Sequence, residues 1–112
     1  MYKRQAINNE VGIEKEHILP NSATLYPNYP NPFNSKTSIT FYLSDPEIID
    51  LSIIDIMGNT IKKLIHEKRP TGNSTVNWDG KNMNGESVTS GIYFCLLRVN
   101  KKSFKSKIVL LK

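Results

Sequence analysis

The chain has 112 residues, 38% hydrophobic and 22% charged, with a formal net charge of +5 and one cysteine. That length supports one domain with a modest core, hiding roughly 60–65% of the surface its unfolded chain would expose. A single cysteine excludes an intrachain disulfide, and no apolar run approaches the ~20 residues of a membrane-spanning helix.

In chain order, the opening MYKRQ has no apolar stretch behind it, so no signal peptide is read. The pentapeptide matches one reading frame of a transposon adapter used in sequencing libraries. On that reading residues 1–5 are artificial, and the chain is the C-terminal piece of a longer product. Residues 6–24 scatter Val11, Ile13, Ile18 and Leu19 among polar residues with no sustained period, which makes 1–24 a linker and His17 a solvated side chain.

YPNYPNPFN (26–34) follows, too apolar for a linker and too rich in proline for a central strand. Proline has no amide donor, so Pro27, Pro30 and Pro32 fit an extended edge segment whose asparagines satisfy local backbone groups. Tyr29 and Phe33 are expected to pack onto the core from it.

Period two then takes over. TSITFYL places Ile39, Phe41 and Leu43 on one face and Thr40 and Tyr42 on the other. SDPE turns the chain. IDLSIIDI sets Leu51 and Ile53 on a common face and ends in DIMGN, where Asp55 can accept from backbone amides ahead and Gly58 or Asn59 can take positive φ. TIKKLIHE alternates imperfectly; its β-branched residues favour a strand over a one-turn helix. RPTGNS reads as a loop, and TVNWDG turns Val76 and Trp78 inward. DGKNMNGESVTSG is a long turn region. GIYFCLLRV carries Tyr93, Cys95, Leu97 and Val99 on one face and Phe94 and Leu96 on the other. SFKSKIVLLK closes the chain; apolar residues on both faces of these last two strands imply central or covered positions.

About seven short strands, turn signals every 8–12 residues and no convincing helix define an all-β fold, an Ig-like antiparallel β-sandwich with Trp78 as its largest core side chain. The core is expected from Trp78, Ile39, Phe41, Leu51, Ile53, Tyr93 and Leu97.

From Arg98 onward there are six basic residues and no acidic one. Such a run suits nucleic acid, an anionic glycolipid or an acidic receptor groove. No aromatic–basic motif accompanies it, which argues against nucleic acid. The plainer reading is lysine on solvent-facing strand positions that discourages aggregation. Two histidines and one cysteine make no metal-ligand spacing, no nucleophile elbow is present, and the glycines are too dispersed for a phosphate loop. His66, flanked by Glu67 and Lys68, reads as exposed. DGKNMNGE (79–86) is rich in oxygen ligands. Aligned as a helical calcium loop it puts Gly80 first and Gly91 twelfth, so a turn of side-chain caps is the better account.

Several stretches together carry a resemblance. YPNPFN with Pro30, Asn31, Pro32, Phe33 and Asn34 precedes TSITFYL. LSIIDIMGNTIKKL carries Asp55 and Gly58. VNWDG supplies Trp78, Asp79 and Gly80, NGESVTSGIYF supplies Gly91 and Tyr93, and KIVLLK ends the chain. In this order and spacing, from residue 25 to 112, they resemble the C-terminal sorting domain (type A) of proteins exported by the type IX secretion system. That family is related in pattern to the Ig-like domain of flagellar hook-capping proteins. Ser35 stands where the family usually has proline, and Cys95 where an aromatic is common.

The resemblance implies a domain without catalysis or cofactor, placed behind an N-terminal passenger. It would fold in the periplasm in transit and be read by the outer-membrane translocon. A sortase-like protease would remove it and leave the passenger secreted or joined to an anionic glycolipid on the surface. It further implies Lys107, Val109, Leu111 and Lys112 as the recognised end, with Gly91 and Tyr93 as its structural anchor. An Ig-like structural or adhesion module and a carbohydrate-binding sandwich are the alternatives; Tyr42 and Phe94 are the one tempting aromatic pair for the second.

Overall fold

The computed structural model describes residues 22–112. The adapter reading, His17 and residues 1–21 of the linker lie outside the described residues. Seven antiparallel strands form two layers. β2 (Thr37–Leu43) lies between β1 (Ala23–Leu25) and β5 (Gly72–Trp78). The second sheet runs β4 (Thr60–Arg69), β3 (Glu47–Ile54), β6 (Gly91–Val99), β7 (Lys102–Leu110). Ala23 and Thr24, read from sequence as linker, pair with Leu43 and Tyr42.

Alternation builds the core directly, because successive side chains of a strand point to opposite faces. Ile39, Phe41 and Leu43 of β2 face Leu51 and Ile53 of β3 and Tyr93, Cys95, Leu97 and Val99 of β6 across the sandwich, all buried. Trp78 is the largest fully buried side chain, and Val76 is half-buried against the same cluster. Burial pushes the Cys95 thiol up to about 12.

TIKKLIHE is strand throughout. Its imperfect alternation is the trace of register shifts against β3 at Leu51/Ser52 and Ile53/Ile54, where Leu64 and Ile61 are the extra residues of β4, both half-buried against the core. The loop expected over RPTGNS shrinks to Pro70 and Thr71, because β5 already pairs with Leu43 at Gly72.

One expectation is narrowed and one corrected. Of the central or covered positions expected for β7 it does not take the central one: among the described residues it pairs with β6 alone as the edge of the four-stranded sheet, and Phe33 bridges the end of that edge. Tyr29 does not pack onto the core but is 80% exposed. Its N–H donates to the Ser38 carbonyl at 3.0 Å and its carbonyl accepts from Ser38 N–H at 2.8 Å. Directly paired residues share a face, and Ser38 faces solvent between inward Thr37 and Ile39, so Tyr29 follows it outward.

Candidate functional site

The proline segment and the last strand meet at one end of the sandwich. Phe33 N–H donates to the Val109 carbonyl and Leu111 N–H donates to the Phe33 carbonyl, both at 2.9 Å. This parallel bridge covers the C-terminal end of the open edge of β7. Pro32 has no N–H to continue such a ladder, and the side chain of Asn31 replaces it. Its Nδ2 donates to the Lys107 carbonyl at 3.2 Å, and its Oδ1 accepts from Val109 N–H at 3.0 Å. Asn28 serves the segment itself, donating to Thr37 Oγ1 at 2.8 Å, while Thr37 donates to the Pro30 carbonyl at 2.8 Å. The Tyr29–Pro30 and Asn31–Pro32 peptides are both cis.

Beneath this edge the motif residues converge. Phe33 lies 5.5 Å from Trp78, and Tyr93 meets Trp78 edge-on at 5.4 Å. Trp78 Nε1 donates to the Lys81 carbonyl at 2.9 Å, and Tyr93 Oη donates to the Thr89 carbonyl at 2.7 Å, so both buried rings keep their polar ends satisfied. Gly80 sits under the pair in a positive-φ conformation. A Cβ there would meet Leu110 at 3.6 Å and Phe33 at 3.8 Å, so the position selects glycine through its backbone more than through space.

The terminal stretch divides by parity. Ile108 and Leu110 are fully buried, Val109 is half-buried facing out, and Lys107, Leu111 and Lys112 are exposed. Lys112 is also tethered: its N–H donates to Ser90 Oγ at 3.0 Å and its Nζ to the Val88 carbonyl at 2.6 Å. Gly91 begins β6 opposite Leu110. Thus Gly91, Tyr93, Lys107, Val109, Leu111 and Lys112 occupy one end of the domain. Asn34, Asp79 and Lys112 line an open cleft beside it, of about 550 Å³.

Asp55 and Gly58 build the β3–β4 turn. Asp55 Oδ1 accepts from Met57 N–H at 2.9 Å and Asn59 N–H at 2.8 Å, and it is Gly58, not Asn59, that takes positive φ. The Asn59 amide foremost holds the Asp55 carboxyl below the usual carboxylate range. In residues 79–86 the oxygens act as caps: Asp79 Oδ1 accepts from Lys81 N–H at 3.2 Å, and Asn82 Oδ1 from Asn84 and Glu86 N–H at 2.9 and 3.0 Å. Among the described residues no three His, Cys, Asp or Glu side chains gather as a metal site. The aromatic pair is divided: Tyr42 lies on the outer face of the three-stranded sheet and Phe94 on the outer face of the other.

Sequence reasoning missed the long-range reach of Asn31, because an Asn beside proline signals a local turn as readily as a cap on a strand 76 residues away. It also missed that Ile56 and Met57, 71% and 81% exposed, project from the Asp55 turn.

Such a small antiparallel sandwich, with the end of its last strand bridged by a proline segment and its motif residues gathered at one end, is an Ig-like β-sandwich domain. The family described as secretion system C-terminal sorting domain matches residues 27–111. The chain belongs to this family, the type IX sorting domains, which direct an attached N-terminal cargo through the secretion machinery to the cell surface or the extracellular space. No curated protein matches the chain. Among solved structures it is similar to dimeric latent PorU from Porphyromonas gingivalis, with TM-score 0.64, 16% identity, and coverage of 90% of this chain and 10% of that one. It is also similar to PorZ, a surface component of the type IX secretion system of the same organism, with TM-score 0.55, 20% identity, and coverage of 79% and 11%. FlgD of Xanthomonas campestris, a hook-capping protein, gives TM-score 0.55, 19% identity, and coverage of 80% and 67%. At these identities the likenesses show a shared fold. The chain spans about a tenth of the length of PorU and PorZ.

Proposed function

We propose that the domain is a folded, non-catalytic address label read at the end of β7. The domain folds in the periplasm in transit, behind its passenger. The outer-membrane translocon engages Lys107, Val109, Leu111 and Lys112, and Gly91 and Tyr93 hold that end in shape. A sortase-like protease then cuts the domain away and releases the passenger or joins it to an anionic surface glycolipid. The observation that supports this reading is the closing of the C-terminal end of the β7 edge: Asn31 and Phe33 take the backbone groups of Lys107, Val109 and Leu111, so what that end offers a reader is its outward side chains.

The test fuses the full chain behind a signal peptide and a fluorescent passenger in a host with type IX secretion. The intact fusion leaves the cell or appears on its surface. Lys107→Glu with Lys112→Glu traps it inside while it stays folded: Lys112→Glu gives up the exposed Nζ bond to the Val88 carbonyl, and exposed substitutions usually change stability by only about 0.5 kcal/mol each. Tyr93→Ala also traps it, by unfolding the sandwich. Circular dichroism of the purified variants distinguishes the two routes. Normal export of the double lysine variant overturns the assignment of those side chains.

A further inference from the structure

The outer faces of the two sheets differ sharply in charge. On the three-stranded sheet the paired outward positions are Ser38, Thr40 and Tyr42 of β2 against Asn77, Thr75 and Asn73 of β5, with no charged residue among them. On the four-stranded sheet the outward positions follow from the registers of Asp50 with His66 and Arg98, of Ser52 with Lys63, and of Phe94 with Lys107. They bring Lys63, Lys68, Arg98, Lys105 and Lys107 onto one face. The one carboxylate on the strands of this face is Asp50, and it is hydrogen-bonded to His66 at 2.9 Å. None of the five cations is in an ion pair among the described residues. A chain of formal net charge +5 therefore concentrates most of its excess on one of two available faces.

That face is also apolar along its middle. Ile54, Phe94 and Leu96 are half-buried there, and Ile92 is 44% exposed next to Val109. Lys105 lies 5.1 Å over the Phe94 ring. A hollow of about 350 Å³ opens on this face, lined by Ile54 and Leu96, by Lys63 and Arg98, and by Asp50, whose carboxylate is engaged by His66. Lysines placed only to block aggregation would need no such hollow, nor unpaired cations around it.

We infer that the outer face of the four-stranded sheet docks a protein surface of opposite charge, in which carboxylates surround an apolar side chain that enters the hollow. The apolar side chain rests on Ile54 and Leu96, and the carboxylates meet Lys63 and Arg98. Lys107 and Val109, assigned above to the recognised end, are the β7 corner of this same face, so the inference rests on the reading that the folded domain is recognised in export. It extends the contact from the chain end across the sheet. A protein partner suits the face better than a lipid surface, because Lys63 and Arg98 stand at a concave hollow beside Ile54 and Leu96 and not on a convex tip.

The experiment compares passenger fusions of the full chain in a type IX host. One carries Lys63→Glu with Arg98→Glu, one carries Leu96→Gln, and a control carries Lys36→Glu with Lys101→Glu, the same charge change in segments off the face. The first two are expected to lower export tenfold or more and the control less than twofold, with circular dichroism unchanged in all three. Equal loss in the control and the face variant would show that only net charge matters, and normal export of Leu96→Gln would remove the apolar contact; either result overturns the proposal. Sedimentation of the intact chain with phosphatidylglycerol vesicles, lost in Lys63→Glu with Arg98→Glu, would assign the face to lipid and overturn it as well. If the intact fusion is itself not exported, the sorting reading fails. If it is exported and the face variants are too, the face proposal alone fails.

Discussion

Phe33 and Tyr29 belong to one short motif, yet the fold assigns them opposite roles, and replacing each by alanine separates the roles. Phe33 is 2% exposed, packed against Trp78 and over Gly80, and its backbone seals β7. Phe33→Ala leaves the backbone bonds in place but opens a cavity in a core whose Trp78 cannot move far, because its Nε1 is held by the Lys81 carbonyl. Buried Phe→Ala changes cost about 3–5 kcal/mol, against a total of about 5–10 kcal/mol for a domain of this size. At roughly 4–8 °C per kcal/mol, the melting temperature falls by about 12 °C or more. Tyr29→Ala removes a side chain 80% exposed, and its effect stays within about 0.5 kcal/mol. Urea unfolding followed by Trp78 fluorescence and by circular dichroism measures both. A loss under about 1 kcal/mol for Phe33→Ala, or an equal loss for Tyr29→Ala, would refute the placement of the motif.

Three further outcomes are expected. The folded Asp55 carboxyl is held below its ordinary range, so its contribution is fully present above the unfolded value of about 3.9 and is lost as pH falls through the lower folded value. The melting-temperature gap between wild type and Asp55→Ala therefore closes between pH 6 and pH 2, and a gap that stays constant would show that the charge plays no part in the turn. Cys95, buried with its thiol pushed up to about 12, stays unlabelled by a thiol reagent at pH 8 in the native protein and reacts in denaturant; rapid native labelling would contradict its burial. Because Asp79 and Asn82 oxygens serve as backbone caps, millimolar calcium leaves the melting temperature unchanged, whereas a rise of many degrees, reversed by chelator, would make residues 79–86 a metal site.

The core was legible because alternation is a local property of each strand. Ile39 and Phe41, Leu51 and Ile53, and Tyr93, Cys95 and Leu97 could be assigned to one face from spacing alone, and all are buried. What was not legible depends on which strand lies beside which. The apolar residues on both faces of β7 suggested a central or covered strand without saying which; Val109 and Leu111 face outward from an edge whose end a distant asparagine and phenylalanine cover. Tyr29 was misplaced for the same reason: its direction is set by pairing with Ser38. At the candidate site, Gly91, Tyr93 and Lys107 were named in sequence through the family pattern. The gathering of Lys63, Arg98 and Lys107 on one face appears only when the registers of β4, β3, β6 and β7 are known.

The most direct test of the central claim is the export of one passenger carrying the full chain, measured in a type IX host and in the same host lacking its outer-membrane translocon. The account predicts passenger fluorescence in the medium or on the surface of the first, and retention inside the second. Export that is equal in the two hosts would contradict it.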